Sequence, residues 1–432
     1  MRSDLPVDPA LPNWSVNTLG ALCQGGGGDI QTGPFGSQLH AADYVDDGVP
    51  AIMPQDLVDG RIDVARIARI TEEDARRLAR YRVREGDIVY SRRGDIRRCT
   101  LIRAEQNGWL CGTGCLRVRI GDSADPRYIA VYLGHPSVQE WIERHAVGAT
   151  MLNLNTSILS GLPVVVPGIS EQHRIVAVFS ALDDKIESDR RLARLLEETA
   201  ATLFRARFVD FVGIDEFEES EIGRIPRGWR VGALTDLARF VNGKAFTKHA
   251  NGRGRPILRI RELHNGIDQG TPRSDLDADD DLVARFDDIL FAWSGSLGAY
   301  RWPGDESLIN QHIFKVIPDG WPAWFVSAWL EEHMETFRAI ARDKATTMGH
   351  IQRRHLVEAR VPVPTAQVIS EADGVIGPLD RQRATLVGES RTLGLVRDAL
   401  LPKLVSGQIR VPDTAEPAEM IELAAETLAA GP

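Results

Sequence analysis

Arginine side chains that could bind nucleic acid are concentrated in one stretch of this chain. Residues 61–103 contain 13 arginines and seven acidic residues, a net charge of +6, although the whole chain carries a net charge of −10. Guanidinium groups bind phosphate oxygens and pair with guanine, and amide side chains pair with adenine. A solvated charged surface is the alternative, and on charge alone it is the preferred interpretation.

Side chains with this chemistry occur in both halves of the chain. The candidates in the first half lie in and after a turn at Gly94 and in the segment MLNLN, and they are Arg92, Arg93, Arg97, Arg98, Asn153 and Asn155. The candidates in the second half are more scattered, and they are Lys244, Lys248, Arg259, Arg261, Arg353 and Arg354. The arginines at 92–98 are the favoured group. Any single arginine could equally belong to the surface, and both asparagines could instead form turns.

Sequence motifs of common enzymes are missing from the chain. The segment VNGKAF (241–246) has the Gly-Lys of a phosphate-binding loop without the rest of that motif. The dinucleotide-binding glycine pattern, the Asn/Asp-Pro-Pro-aromatic tetrapeptide of amino-methyltransferases, the His-Glu-x-x-His zinc pair and the serine-hydrolase elbow do not occur either. We therefore expect no catalytic residues, and a binding protein rather than an enzyme.

The four cysteines all lie in the first half of the chain. Cys111 and Cys115 have a spacing that suggests zinc, but a structural zinc site needs four ligands in typical pairs. Buried thiols in a reducing cytoplasm are the favoured interpretation, so no metal is expected. Residues 1–14 lack the apolar core of a secretion signal, and no stretch is long enough to span a bilayer. We expect a cytoplasmic location.

The candidates lie in a chain that repeats itself. At a constant offset of 197 residues, Met151 matches Met348, Val166-Pro167 matches Val363-Pro364, and Leu182-Asp183 matches Leu379-Asp380. Upstream, GDIVYSRRG (86–94) matches DDILFAWSG (287–295) at a slightly different offset. Repeats of this length predict two similar globular units, each followed by a long helix, rather than a solenoid of short repeats.

Each unit is predicted to contain short strands separated by Gly and Asp turns, with helices between them. The strand predictions are VPAIM (49–53), DIVYS (87–91), CLRVRI (115–120), LPVVVP (162–167), PILRI (256–260), DILFAW (288–293) and HIFKVI (312–317). The helix predictions are 71–81, with Thr71 as its N-cap, and the matching segments 126–145 and 321–343.

Two long segments show the apolar spacing of paired helices. The first has seam residues Ile175, Phe179, Leu182, Ile186, Leu196 and Leu203, and the second has Leu379, Leu386, Leu393 and Leu400. Steps of three and four residues predict a heptad seam, although a helix packed on its own domain would show the same spacing. Because Gly374, Gly377 and Pro378 weaken the first turns of the second helix, we expect it to need the first as an antiparallel partner.

These elements predict six segments. They are a first globular domain at 1–168, a long helix at 169–207, a linker at 208–227, a second globular domain at 228–365, a long helix at 366–408 and an acidic tail at 409–432. The tail carries five acidic residues and no basic residue after Pro412, and we expect it to be flexible.

Several of these segments resemble the specificity subunit of type I restriction-modification systems, the HsdS family. The resemblance is carried by residues 32–57, by GDIVYSRRG (86–94), by the domain-to-helix junction at 147–186 and by LLPKLVSGQI (400–409). It covers nearly the whole chain in family order, although the second copy lacks the Glu-Gln pair that begins the first helix. The resemblance implies an α+β fold with two tandem target recognition domains, each followed by a long helix, and an antiparallel coiled coil of the two helices.

The resemblance also implies a function and partners. A non-catalytic subunit of this family reads a bipartite site in double-stranded DNA, one half with each recognition domain, while the helices set the distance between the halves. Two methyltransferase subunits with S-adenosylmethionine would methylate adenine N6, and restriction subunits with ATP and Mg²⁺ would cut the DNA, so the chain itself needs no cofactor. The alternatives are a coiled-coil adaptor for proteins and the specificity subunit of a fused nuclease-methylase, a type IIB-like arrangement.

Overall fold

The computed structural model describes residues 5–11, 13–58, 60–148, 152–343, 349–412, 414 and 416–429. The chain forms two compact units, which we call unit 1 (Met1–Lys185 with Thr392–Pro432) and unit 2 (Ile186–Arg391). Both boundaries fall inside the long helices, so each unit contains part of each helix. Met151 and Met348, which match in the repeat, lie outside the described residues.

Unit 1 contains two four-stranded sheets and two strand pairs. The first sheet has the order Ile30–Thr32, Cys115–Val118, Ile88–Ser91 and Cys99–Leu101, all antiparallel. The second has the order Leu110–Cys111, Val49–Ile52, Ala68–Ile70 and Tyr44–Val45, and its first pair is parallel. Ser15–Thr18 pairs with Pro163–Val166, and Leu57–Val58 pairs with Arg61–Ile62. The predicted strands of this half therefore form, within one or two residues at their ends.

Unit 2 repeats this arrangement. Its antiparallel sheet has the order Ala238–Asn242, Ile313–Pro318, Ile289–Ala292 and Gly298–Arg301. Its mixed sheet has the order Arg273–Ser274, Arg255–Leu258, Ser307–Ile309 and Val283–Ala284, again with one parallel pair. Arg230–Ala233 pairs with Arg360–Val363 just before the second long helix. The antiparallel sheets have the same strand order in both units, which confirms the internal duplication that the sequence predicts. The mixed sheets differ, because the parallel pair lies at the edge in unit 1 and in the centre in unit 2.

The shorter helices lie against these sheets and depart from the predictions mainly in length. They are Leu19–Gly25, Glu72–Arg77, Pro126–Leu133, Pro136–His145 and Thr156–Gly161 in unit 1, and Ile260–Asn265, Ala323–Glu332, Met334–Asp343 and Arg353–Glu358 in unit 2. Thr71 caps its helix as expected, because its hydroxyl accepts a bond from the Asp74 N–H. The predicted helix at 126–145 is instead two helices. Pro136 begins the second one, and the His135 side chain caps it.

The first long helix spans Ile169–Phe204 and is fixed at its start by two buried polar side chains. Gln172 accepts a hydrogen bond from the Asp125 N–H (2.8 Å) and donates one to the Pro167 carbonyl (2.8 Å). Glu171 pairs with Arg174 at 2.7 Å and with Arg410 at 2.6 Å. Burial raises the pKa of Glu171, but the hydrogen bonds from both arginines outweigh this and lower it overall. The Glu-Gln pair thus joins the helix to its domain and to the segment after the second helix.

The second long helix spans Ala366–Val405 without interruption, although Gly374, Gly377 and Pro378 lie in its first turns. Tertiary packing compensates for these residues, because Ile376 is buried in the unit 2 core and Trp324 Nε1 donates a 2.7 Å hydrogen bond to Asp373 Oδ1. In the second copy, the Trp324–Asp373 hydrogen bond and the buried Ile376 therefore take the place of the Glu-Gln pair that fixes the start of the first helix.

The two long helices run antiparallel within each unit. In unit 1 the Asp183 carboxylate lies 3.3 Å from Arg397, and Glu171 pairs with Arg410. The residue number therefore increases along one helix where it decreases along the other. Phe179 and Leu182 share the unit 1 core with Val396, Leu400 and Leu404 from the second helix. In unit 2 the end of the first helix, with Phe204, shares a core with the start of the second, with Ile376. Heptad-spaced apolar residues supply this packing.

The predicted seam is buried along most of its length but shifts by one residue at its end. Ile175, Phe179, Leu182, Ile186, Leu386 and Leu400 are buried, and Leu196, Leu379 and Leu393 are half-buried. Leu203 is 37% exposed, however, whereas its neighbour Phe204 is 2% exposed. A straight helix has 3.6 residues per turn, so a seven-residue repeat drifts by about 20° each time. After the four repeats from Ile175 to Leu203 the drift is about 80°. Since successive residues lie about 100° apart, Phe204 faces the core in place of Leu203.

Two segments outside the predicted domains contain regular secondary structure. The predicted linker contains a hairpin of Phe217–Ser220 and Gly223–Pro226. The acidic tail, expected to be flexible, contains the helix Pro417–Ala429. Met420 is buried in the unit 1 core, and Ile421 and Ala424 pack beside it, so this expectation was wrong. Apolar residues at positions 420, 421 and 424 form one helical face that the acidic composition concealed. Among the described residues, no helix is both long and apolar enough to cross a membrane.

Candidate nucleic-acid interface

In unit 1 a backbone junction brings three of the predicted side chains together. The turn after strand Ile88–Ser91 is bonded on both sides, because Arg92 N–H donates to the Gly114 carbonyl (2.8 Å) and Leu154 N–H donates to the Arg92 carbonyl (2.9 Å). Asn153 forms a β-bridge with Arg93, and its Oδ1 accepts a 3.2 Å hydrogen bond from Arg92 Nε. We call this arrangement junction 1. It joins segments more than 60 residues apart, which the sequence alone does not connect.

Unit 2 builds the same junction from different side chains. Trp293 N–H donates to the His312 carbonyl (3.1 Å), and Ile351 N–H donates to the Trp293 carbonyl (3.0 Å). Ser294 forms a β-bridge with His350. We call this arrangement junction 2. Trp293, His312 and His350 therefore occupy the positions of Arg92, Gly114 and Asn153, so one backbone scaffold presents two different sets of side chains.

Ion pairs within the domain occupy two of the four favoured arginines. Arg97 forms a two-pronged pair with Glu143, with Nε–Oε1 and Nη2–Oε2 distances of 2.6 and 2.7 Å. These hydrogen bonds lower the pKa of Glu143. Arg98 Nε pairs with Asp95 at 3.1 Å. Within the described part of the chain, no carboxylate pairs with Arg92 or Arg93, and Arg93 is exposed. Of the four arginines at 92–98, Arg92 and Arg93 are therefore the ones whose guanidinium groups are not paired with a described carboxylate.

The two asparagines have different roles. Asn155 is the N-cap of helix Thr156–Gly161, and its Oδ1 accepts a 2.9 Å bond from the Ile158 N–H. Capping explains this side chain within the fold, which is the turn-forming role considered as the alternative. Asn153 instead lies in junction 1, where its side chain contacts Arg92.

Arg259 and Arg261, both predicted to contact nucleic acid, are bound by carboxylates in unit 2. Arg259 pairs with the fully buried Glu262 through bonds of 2.9 and 2.5 Å. Arg261 contacts Glu262 as well, and it pairs with Asp268. Burial raises the pKa of Glu262, but the hydrogen bonds from Arg259 outweigh this and lower it. A buried carboxylate needs such partners, so both arginines have a structural explanation.

The other basic candidates of unit 2 are exposed. Three of them lie near junction 2: Lys244 through a backbone hydrogen bond, and Arg353 and Arg354 because they follow it in the sequence. Gln311 N–H donates to the Lys244 carbonyl (3.0 Å), which places Lys244 beside the residue that precedes His312. Lys244 Nζ lies 3.8 Å from Asp279. Arg353 and Arg354 begin helix Arg353–Glu358 just after junction 2, and Arg354 Nε lies 3.3 Å from His355 Nε2. Lys248 lies farther along, in the turn Phe246–His249.

Four residues of this surface were missed by the sequence reasoning: Asn242, Trp293, His312 and His350. Trp293 Nε1 donates a 2.9 Å hydrogen bond to Asn242 Oδ1, and the Trp293 ring lies 5.0 Å from His312 and 6.4 Å from His350. Three of the four are an indole and two imidazoles, which lie outside the basic and amide side chains expected to bind nucleic acid. Aligning TGCLRV with QHIFKV would have shown His312 at the position of a turn glycine.

His312 has a backbone conformation that favours glycine. Its φ is +77°, close to the +87° of Gly114 at the matching position. For a residue with a side chain this region costs about 1–2 kcal/mol. His312 Nδ1 is also buried without a hydrogen-bond partner among the described residues, which adds a second cost.

Comparison with known proteins agrees with this duplicated architecture. The family model described as "Type I restriction modification DNA specificity domain" matches residues 44–198 and 226–371, more than half of the chain. The chain is 24% identical over 422 residues to the Type I restriction enzyme MjaIX specificity subunit of Methanocaldococcus jannaschii, covering 92% of this chain and 94% of that protein. It is 20% identical over 404 residues to the Type I restriction enzyme HindI specificity subunit of Haemophilus influenzae, covering 77% and 88%.

A solved structure shares the fold. The crystal structure of a type I restriction-modification system S subunit from M. genitalium superposes with a TM-score of 0.53 at 18% identity, covering 94% of this chain and all of that one. The two matched regions contain junction 1 and junction 2, together with most of the first long helix and the start of the second. This chain belongs to the type I restriction-modification DNA specificity family.

Proposed function

We propose that this chain is the DNA specificity subunit of a type I restriction-modification complex, in which each unit reads one half of a bipartite site in double-stranded DNA. The observation that carries the proposal is the repeated junction. Arg92, Arg93 and Asn153 lie at junction 1, whereas Trp293, His312 and His350 lie at junction 2. One scaffold with two sets of side chains suits two half-sites of different sequence, because base edges are read by side-chain chemistry.

In this proposal the chain binds DNA and does no chemistry itself. Two methyltransferase subunits bind S-adenosylmethionine and methylate adenine N6 after flipping the base from the duplex. Restriction subunits supply ATP- and Mg²⁺-dependent cleavage. The methyltransferase docking surface that we favour is a row of exposed leucines on the first long helix, Leu192, Leu195 and Leu203, because exposed apolar side chains in a row indicate a partner.

Mapping of N6-methyladenine tests this function. The chain would be co-expressed with the methyltransferase encoded beside it in a host lacking such a system, and methylated adenines would be located by single-molecule sequencing. One motif with two defined halves around a fixed unspecified gap is the expected result. A stable complex that adds no methylation would instead favour the protein-adaptor alternative. If the neighbouring gene encodes nuclease and methylase in one polypeptide, the arrangement is the fused type.

Arg93→Ala is expected to weaken DNA binding by the complex, because Arg93 is exposed at junction 1 and no described carboxylate pairs with it. The dissociation constant should rise roughly tenfold, and the salt dependence should fall by about one unit of slope if the contact is to phosphate. Fluorescence anisotropy with a duplex carrying the mapped motif, repeated at several salt concentrations, measures both quantities.

Arg97→Ala is the matched control for this prediction. Arg97 lies four residues away and is also exposed, but Glu143 already occupies its guanidinium. Because this guanidinium is already paired, its loss should change the dissociation constant by less than about twofold, and the domain should stay folded because exposed ion pairs contribute little to stability. Equal losses for the two variants would show that Arg93 acts only through the general charge of the domain.

A further inference from the structure

We propose that His312 is a specificity-determining residue of unit 2, which donates a hydrogen bond from Nε2 to a purine base edge in the half-site that this unit reads. The inference rests on the proposed function and deepens it by naming the residue, the donor atom and the kind of acceptor. It begins from a residue whose conformation the fold alone does not explain.

Three described residues other than glycine have a positive φ, and two of them are explained by contacts inside the protein. They are Phe211 (φ 53°), Asp287 (φ 67°) and His312 (φ 77°). The Phe211 ring packs against Trp229 and Phe217. The Asp287 carboxylate binds Arg301 and Arg383. His312 differs from both, because its ring lies against Trp293 but its Nδ1 is buried without a hydrogen-bond partner among the described residues. A strained backbone beside a buried, unpaired polar atom indicates a functional role.

The surroundings of the ring determine which nitrogen can act. A proton on Nδ1 would be a buried donor with no acceptor among the described residues, so the tautomer that fits these surroundings carries its proton on Nε2. The ring is half-buried, and with Nδ1 enclosed its solvent-facing edge carries Nε2. A donor on a rigid ring fits the purine N7 and guanine O6 acceptors of the major groove.

The residues around His312 hold the ring and supply DNA-binding groups. The Trp293 ring lies 5.0 Å from it at an interplanar angle of 53°, and Trp293 is itself fixed by the hydrogen bond to Asn242. Gln311 and Lys244 are both exposed and joined by a backbone hydrogen bond. A cation and an amide beside the donor suit contacts to the phosphate backbone, which position a protein on DNA without reading sequence.

His312→Gly tests the proposal, because it removes the side chain and installs the residue that junction 1 has at this position. The glycine relieves the strained backbone, so the melting temperature of the full chain should stay the same or rise. In the co-expressed methyltransferase complex, the methylation motif should keep the half-site read by unit 1 and lose definition at one position of the other. Discrimination at that position should fall roughly 5- to 100-fold.

Two further variants sharpen the interpretation. Asp287→Gly is the control for destabilisation of the unit. It removes the carboxylate that Arg301 and Arg383 bind without touching junction 2, so it should lower the melting temperature but leave the motif unchanged. His312→Asn keeps a hydrogen-bond donor in a residue that tolerates this backbone region, so it should retain part of the discrimination.

The outcomes separate the inference from the function on which it rests. A degenerate position confined to one half-site supports the role of His312. A His312→Gly complex with an unchanged motif overturns it, and so does a loss spread evenly over both half-sites, which indicates a phosphate contact. A wild-type complex that produces no bipartite motif overturns the proposed function itself, and the inference with it.

Discussion

Arg383→Ala is expected to lower the free energy of unfolding of unit 2 by about 3–5 kcal/mol, the cost of removing one partner from a buried ion pair. The Arg383 side chain is 8% exposed and lies between two carboxylates. Its Nη2 is 2.6 Å from Asp287 Oδ1, and its Nε is 3.0 Å from Asp380 Oδ1. Arg301 contacts the same two carboxylates, so the cluster joins the strand turn of unit 2 to the second long helix.

Urea unfolding of the full chain, followed by tryptophan fluorescence, measures this loss. The chain has two units, so the transition of unit 2 must be fitted separately rather than as one two-state change. Arg381→Ala is the control, because Arg381 lies two residues away on the same helix and is exposed. It should change stability by less than about 0.5 kcal/mol. Equal effects of the two substitutions would contradict a specific role for the buried cluster.

A double variant tests whether the unpaired charge causes the loss. Asp287→Gly combined with Arg383→Met removes a carboxylate and its arginine together, and places glycine at a φ of 67°. The combination should be more stable than Arg383→Ala alone, since an apolar replacement of both partners leaves less unpaired charge buried.

Phe204→Ala is expected to cost about 3–5 kcal/mol, the usual loss for a large buried aromatic residue. The Phe204 ring packs against Phe208, Phe325 and Trp329 with centroid distances of 5.3, 6.0 and 5.1 Å. Leu203→Ala, one position earlier, is the control and should cost less than about 0.5 kcal/mol, because that side chain is 37% exposed. The same urea titration measures both. A larger loss of stability for Leu203→Ala than for Phe204→Ala would show that the strict seven-residue seam continues to Leu203.

The duplicated fold could be predicted from sequence because it depends on local patterns and on matching positions. Strands such as Ile289–Ala292 alternate with turn residues, and the first long helix contains no glycine or proline from Glu171 to its end. The shift from Leu203 to Phe204 could not be predicted as easily, because it results from the small mismatch between 3.5 and 3.6 residues per turn. The tail helix was missed because the five acidic residues of the tail indicate a solvated segment, although Met420, Ile421, Ala424 and Ala425 pack on the unit 1 core.

The candidate interface was predicted less well, because residue type does not show which side chains are already engaged. Arg97 and Arg93 have the same chemistry, but only Arg97 has Glu143 opposite it, from a helix 46 residues later. Arg259 differs from an available arginine only through its buried partner Glu262. Residue type alone does not single out His312, because its position depends on a histidine lying where the first copy has Gly114. Whether an arginine is available to bind DNA therefore depends on the partners that the tertiary structure places beside it.

The discontinuous composition of unit 1 has a consequence for synthesis on the ribosome. Its core contains Trp14 and Leu19 from the beginning of the chain and Val396, Leu404 and Val411 from near the end. The 206 residues of Ile186–Arg391 are translated between these segments. At about 5–20 residues per second this takes roughly 10–40 s. The apolar surface of the first domain that Val396 and Leu404 cover therefore stays exposed while unit 2 emerges, and this interval is when a chaperone would have most effect on yield.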